Sequence, residues 1–216
     1  MHVVLPALSR RSHVSHRAQH LPCRAMSFAS RVRARENLVG TLVTFDCPAV
    51  VELLAGVGYD WLFIDTEHAP LTACLPNILR AAKPCPCLVR IPALTEAAIK
   101  FALDLGADGI IVPNVNTEQQ ARDVVKWAKY SPMGVRGVGG GLRAQAYGEK
   151  MADYMKNANE DTLIVVQVSC QIMEALVVQH NIVLKNHDIL VIGCSCRSAV
   201  QLYSRCNLQV LSKSCP

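Results

Sequence analysis

No apolar run in this chain approaches the roughly 18 residues that a bilayer-spanning helix needs, which points to a soluble protein without a membrane partner. The first 35 residues contain no Asp, Glu or Lys, but they hold seven Arg. The formal net charge of +5 is therefore carried by that segment, and the remainder is slightly acidic. A body of that balance offers no basic footprint for nucleic acid. Ten Cys are present, yet there is no CxxC knuckle. The close pairs are Cys85-Pro86-Cys87 and Cys194-Ser195-Cys196, with no His at finger spacing. A secretory signal is also missing, so reduced thiols in an intracellular protein are expected rather than a disulfide framework or a structural zinc.

What is present divides the chain. Residues 1–35 are rich in Arg, Ser and His, a composition that suits an organellar transit peptide. A disordered extension, or translation from Met26, explains it equally. The expected location is cytoplasmic, or mitochondrial if the segment is a transit peptide. Residues 36–216 are long enough for one core.

From residue 38 onward, short apolar runs alternate with helical stretches. Strands are expected at 38–45, 61–65, 87–91, 109–112, 163–168 and 189–192. Helices are expected at 46–54, 71–82, 95–105 and 117–130, with a further start at 173–178. The strands are continuous apolar runs rather than alternating ones, which marks a parallel sheet covered on both faces. Repeated strand–helix units then mean a β/α barrel or an open doubly wound sheet. The glycine-rich 137–141 (GVGGG) follows a helix, not a strand, so a nucleotide-binding reading has little behind it.

Polar residues fall where those strands end. Glu67 and His68 follow the second strand, Arg90 closes the third, Pro113-Asn114 follow the fourth and Gln167 lies near the end of the fifth. In parallel β/α folds this end carries the chemistry. Histidine can take a proton near neutral pH, and arginine offers a fixed fork of donors to a carboxylate or an enolate oxygen. The pair suits proton abstraction or C–C cleavage beside a carbonyl. Such chemistry usually needs an electron sink, either a Schiff-base Lys or a divalent metal. No Lys lies in or just after a predicted strand, so a metal with Asp or Glu ligands is favoured.

Several motifs in order give this pattern a family. GTLV at 40–43, DWLFIDTEHAP at 60–70, LVRIP at 88–92, LDLGADGIIVPNVNTEQQA at 103–121, YSPMGVRGVGG at 130–140 and VVQV at 165–168 resemble the HpcH/HpaI aldolases, relatives of the citrate lyase β subunit. The resemblance covers about residues 27–168. It implies a (β/α)8 TIM barrel that binds a pyruvate-like unit on Mg²⁺, Mn²⁺ or Co²⁺ and forms or cleaves a bond to an aldehyde. The implied partners are therefore a small-molecule 2-oxo acid and an aldehyde, in a homo-oligomer. By the same resemblance His68 would be the general base, acting through a metal-bound water. Arg90 would hold the oxo acid and stabilise its enolate, Asp104 would pair with His68, and Gln167 would contact substrate. Asp65 and Glu67 would make supporting hydrogen bonds. The 134–141 loop, with Arg136, would lie at the barrel mouth, although a surface or oligomer contact is an equal reading of Arg136.

The sequence departs from the pattern after residue 168. The family's metal-binding Glu falls at Ser169 and its Asp at Cys196, so neither ligand carboxylate is present. Glu174 and Asp188 are lone acids that could substitute. Beyond Ser169 the text becomes rich in Cys, Val and Ser, with Gly193 the one glycine. An incomplete barrel of about six strands is expected, with 169–216 an aberrant segment that reflects a natural variant or an error in the gene model. Such an open sheet predicts instability or aggregation. Two functions compete: a divalent-metal-dependent aldolase or lyase using His68, Arg90, Asp104 and Gln167, and a catalytically impaired relative with a binding role or none.

Overall fold

The computed structural model describes residues 26–140 and 151–169 and the strands at 189–194, 201–202 and 208–211. Eight strands form one sheet in the order β7-β6-β5-β4-β3-β2-β1-β8. They are β1 (Leu38–Val43), β2 (Trp61–Asp65), β3 (Cys87–Arg90), β4 (Gly109–Val112), β5 (Leu163–Ser169), β6 (Ile189–Cys194), β7 (Gln201–Leu202) and β8 (Leu208–Leu211). The first six run parallel in chain order, as the continuous apolar runs predict. The short β8 adds parallel to β1 and the two-residue β7 adds antiparallel to β6. Among the described residues the sheet is not closed, because β7 and β8 stand at its two edges.

The core has two layers, and the alternation of each strand decides which residue joins which. Trp61, Phe63, Leu88, Ile111, Leu163 and Val165 face the concave interior with Leu38. Their neighbours Leu62, Ile64, Val89, Ile110, Val112, Ile164 and Val166 pack outward under the helices. Strands β2, β3 and β4 are buried on both sides, so the binary pattern along them vanishes. At Gly40 an added Cβ would sit 2.4 Å from the Trp61 indole, so only glycine lets that ring fill the interior.

Helix α2 (Pro48–Val57) follows β1, α3 (Leu75–Ala82) follows β2, α4 (Glu96–Asp104) follows β3 and α5 (Glu118–Ala128) follows β4. Thr95 caps α4, and Thr117 with Gln120 makes a full capping box on α5. The segment Gly58-Tyr59-Asp60 and the segment Gly106-Ala107-Asp108 perform the same turn. Each glycine takes a positive φ past its helix, at 108° and 89°. Each Asp then accepts a backbone N–H from the start of a neighbouring strand, Val39 at 2.9 Å and Cys87 at 2.8 Å.

Four elements fall outside the sequence reading: the edge strands β7 and β8, which make eight strands where about six are expected, and two helices. The boundary drawn at residue 35 is too late, because α1 (Phe28–Arg33) is a docked helix. Its Phe28, Ala29 and Val32 are buried in the interior layer under Trp61. Arg31 ties it down through Glu36 and Asp60, at 2.8 and 2.7 Å. Helix α6 (Met151–Asp161) precedes β5, and its last carbonyls receive the buried Lys129 ammonium, at 2.7 Å from the Thr162 oxygen. No helix among the described residues is long and apolar enough to cross a membrane.

Candidate active site

The site is built on the last residues of β2 and β3, which are register partners: Asp65 beside Arg90. Asp65 is 2% exposed, and a carboxylate so deep requires partners. It receives the Arg90 fork in two parallel bonds, Nε to Oδ1 at 2.9 Å and Nη2 to Oδ2 at 2.6 Å. Oδ1 also accepts the backbone N–H of Glu67 at 3.1 Å and of His68 at 3.3 Å. Burial pushes the Asp65 pKa up, but the Arg90 fork and those two N–H groups outweigh it and hold the carboxyl below its ordinary value. Asp65 therefore fixes both the guanidinium and the turn that carries Glu67 and His68.

The neighbouring residues complete that turn. Thr66 donates its N–H (2.9 Å) and its hydroxyl (2.5 Å) to the Arg90 carbonyl, stitching the chain after β2 to β3. Beyond Pro70, Leu71 is buried and its N–H bonds the Ala69 carbonyl. Between these anchors the Glu67 Oε2 lies 3.3 Å from Arg90 Nε and 3.7 Å from His68 Nε2. The Arg90 guanidinium lies 5.2 Å from the Phe63 ring centroid. The His68 side chain is 70% exposed and Glu67 15%, so the imidazole is presented to solvent while the carboxylate is shielded.

His68 and Arg90 both lie at the C-terminal end of the strands, joined through Asp65 and Glu67. Gln167 is half-buried toward the same end of β5, and its carbonyl accepts the Val115 N–H at 3.0 Å. Asp104 does not join them. It is the last residue of α4, which runs back from the end of β3 to the start of β4, so it sits at the opposite end of the strands. There its carboxylate takes Arg136 Nη2 at 2.6 Å. Arg136 is buried and stacks 4.6 Å over Tyr130. Within the chain, the carboxylate beside His68 is Glu67, and the partner of Asp104 is Arg136. Nor does the start of the 134–141 loop reach the mouth. Val135 and Arg136 bond backbone to the last turn of α5, at 2.7 and 2.9 Å. The sequence carries no sign of this, because a buried Arg in a glycine-rich stretch looks the same as an exposed one.

The donors among the described residues do not fit the expected divalent cation. Among the described residues no group of three His, Cys, Asp or Glu converges on one point. The Asp65 oxygens are taken by Arg90 and backbone N–H groups. Ser169 ends β5 where its register partner is Cys194, and Cys196, Glu174 and Asp188 lie outside the described residues. A hydroxyl is a poor replacement for a hard-cation carboxylate. Cys47, Cys74, Cys85 and Cys87 are free thiols. Burial, with Asp108 and Asp60 nearby, pushes Cys85 up to about 11, which makes it an inert core residue.

A mainly parallel β/α sheet with a clamped guanidinium and an exposed imidazole at the C-terminal ends of its strands is the arrangement of the β/α folds, barrel or open sheet. The family model "HpcH/HpaI aldolase/citrate lyase" matches residues 39–193, and the chain belongs to that family. It is 38% identical over 147 residues to a hydroxypyruvate/pyruvate aldolase of Delftia acidovorans, covering 67% of this chain and 55% of the relative. It is 39% identical over 148 residues to a 4-hydroxy-2-oxovalerate aldolase of Novosphingobium aromaticivorans, covering 66% and 55%. Among solved structures, an HpcH/HpaI aldolase of Desulfitobacterium hafniense superposes with a TM-score of 0.65 at 28% identity, over 79% of this chain and 66% of that one. The fold is that of the TIM-barrel family, here incomplete among the described residues. The chain spans about half the length of the curated relatives it matches.

Proposed function

We propose that the mouth of β2 and β3 is a 2-oxo-acid site of the aldolase type, which cleaves or forms a C–C bond next to the oxo group. The observation that supports this best is the Asp65–Arg90 clamp beside the His68 turn. A guanidinium held on one edge by Asp65 keeps its remaining N–H groups at a fixed angle for a carboxylate or an enolate oxygen. In cleavage, His68 takes the proton of the 4-hydroxyl. The C3–C4 bond then breaks to release an aldehyde, and its electron pair passes into the C2 carbonyl as an enolate that Arg90 stabilises. The His68 proton returns to C3 to give the 2-oxo acid. Gln167 would contact the substrate from β5. The relatives' names, aldolases of pyruvate, hydroxypyruvate and 4-hydroxy-2-oxovalerate, support the substrate class. The test is pyruvate release from a 4-hydroxy-2-oxo acid with Mg²⁺, Mn²⁺ or Co²⁺ supplied. His68→Ala should lower the rate by roughly 10²–10⁴-fold, and an unchanged rate removes His68 as the base.

One observation favours a second reading, an oxo-acid binder without turnover. Among the described residues no group of carboxylates converges for a hard divalent cation. Pyruvate binding that depends on Arg90, with no lyase activity under any of the three metals, would select it.

A further inference from the structure

The charges around Arg90 do not balance. Its single guanidinium faces two carboxylates, Asp65 at 2.6 and 2.9 Å and Glu67 at 3.3 Å. With a neutral imidazole at His68 the cluster is net negative, and its three charged side chains are 15% exposed or less. A 2-oxo acid arriving at Arg90 would add a third carboxylate to one cation. Like charges a few ångströms apart and shielded from water repel strongly.

The two resident carboxylates are not equivalent. Asp65 is bound by four donors, and losing it would free the whole turn. Glu67 makes the looser contact. Arg90 Nε already donates to Asp65, so the approach of Glu67 at 3.3 Å adds charge proximity rather than a second full hydrogen bond. The same Glu67 oxygen has an alternative partner within reach, His68 Nε2 at 3.7 Å, which is a cation when protonated.

We infer that Glu67 is a resident competitor for the oxo-acid position on Arg90: the substrate carboxylate displaces it, and it turns toward His68. This rests on the oxo-acid reading of the site and goes beyond it by assigning Glu67 control over affinity. Glu67 then links the two halves of the site. Anion binding at Arg90 moves a negative charge onto the imidazole, which favours the protonated base. Glu67 is in this sense a positioning residue, because it acts through Arg90 and His68.

The test is calorimetric titration of pyruvate into the full-length wild-type chain, Glu67→Gln and Arg90→Met, each in EDTA and again in Mg²⁺. Glutamine keeps the shape and removes the charge. Glu67→Gln should bind pyruvate at least about fivefold more tightly, the fully solvated bound for removing a like charge at roughly 4 Å. A merely structural role would weaken binding instead. Arg90→Met should abolish binding. Wild-type binding that needs Arg90, together with equal or weaker binding by Glu67→Gln, overturns the competitor role and leaves the oxo-acid reading standing. No binding by wild type or Glu67→Gln in either condition overturns both.

Discussion

At the scale of the residue, Asp65 does more than its place in a buried apolar run suggests. It is the last residue of β2 and one of few polar groups in the core, and its carboxylate fixes both Arg90 and the turn that carries His68. Removing one partner of a buried ion pair strands the other. Asp65→Asn should therefore lower stability by about 3 kcal/mol at pH 7, read from urea unfolding. Because the folded-state pKa lies below the unfolded one, this contribution is complete above about pH 4 and is lost as pH falls through the folded value. The gap between wild type and variant should narrow in acid, and an equal gap at pH 7 and pH 3 would contradict the clamp. Asp104 makes the opposite case. The resemblance assigns it to His68, but the helix that carries it delivers it to Arg136 at the other end of the strands. Asp104→Asn should lower stability in urea unfolding, because it leaves the buried Arg136 unpaired, and should leave any rate of pyruvate release unchanged. A loss of rate without a loss of stability would restore the pairing.

At the scale of the element, the sequence is most readable where a strand is buried on both faces. The runs at 61–65, 87–90 and 109–112 can be little else, and the strand-end positions of His68, Arg90 and Gln167 follow from them. It is least readable where burial depends on distant partners. Helix α1 is a single six-residue stretch bearing Arg31 and Arg33, and only Phe28, Ala29 and Val32 mark its inner face. Its stability comes from plugging the interior under Trp61, and no window of local sequence reports that. Phe28→Ala should thus cost about 3 kcal/mol, measured by chemical denaturation. An unchanged midpoint would return the segment to the tail. The glycine-rich loop escaped for a related reason. At Gly134 an added Cβ would lie 2.3 Å from the Lys129 carbonyl, so that glycine serves close backbone packing at the end of α5, not a phosphate.

At the scale of the whole molecule, the fold separates two tasks by putting them at opposite ends of the same strands. The N-terminal end is tied together by Asp60, Asp108, the Asp104–Arg136 pair and the α1 plug. The C-terminal end keeps His68 accessible beside the shielded Glu67, over the fixed Asp65–Arg90 base. The resemblance puts the cation ligands after β5 and β6, and a substitute acid at that end among the described residues would have to come from β2 or its turn. The β2 carboxylate is already committed to Arg90, and β5 ends in Ser169. The remaining acid on the β2 turn, Glu67, shares its oxygen between Arg90 and His68. A hard divalent ion needs several oxygen ligands, most of them charged, to compete with its own hydration. Titration of Mn²⁺ into the full-length chain should show affinity no tighter than the roughly millimolar range of weakly built oxygen sites. A micromolar, stoichiometric isotherm would mean that carboxylates from outside the described residues complete the site, and would favour turnover over binding alone.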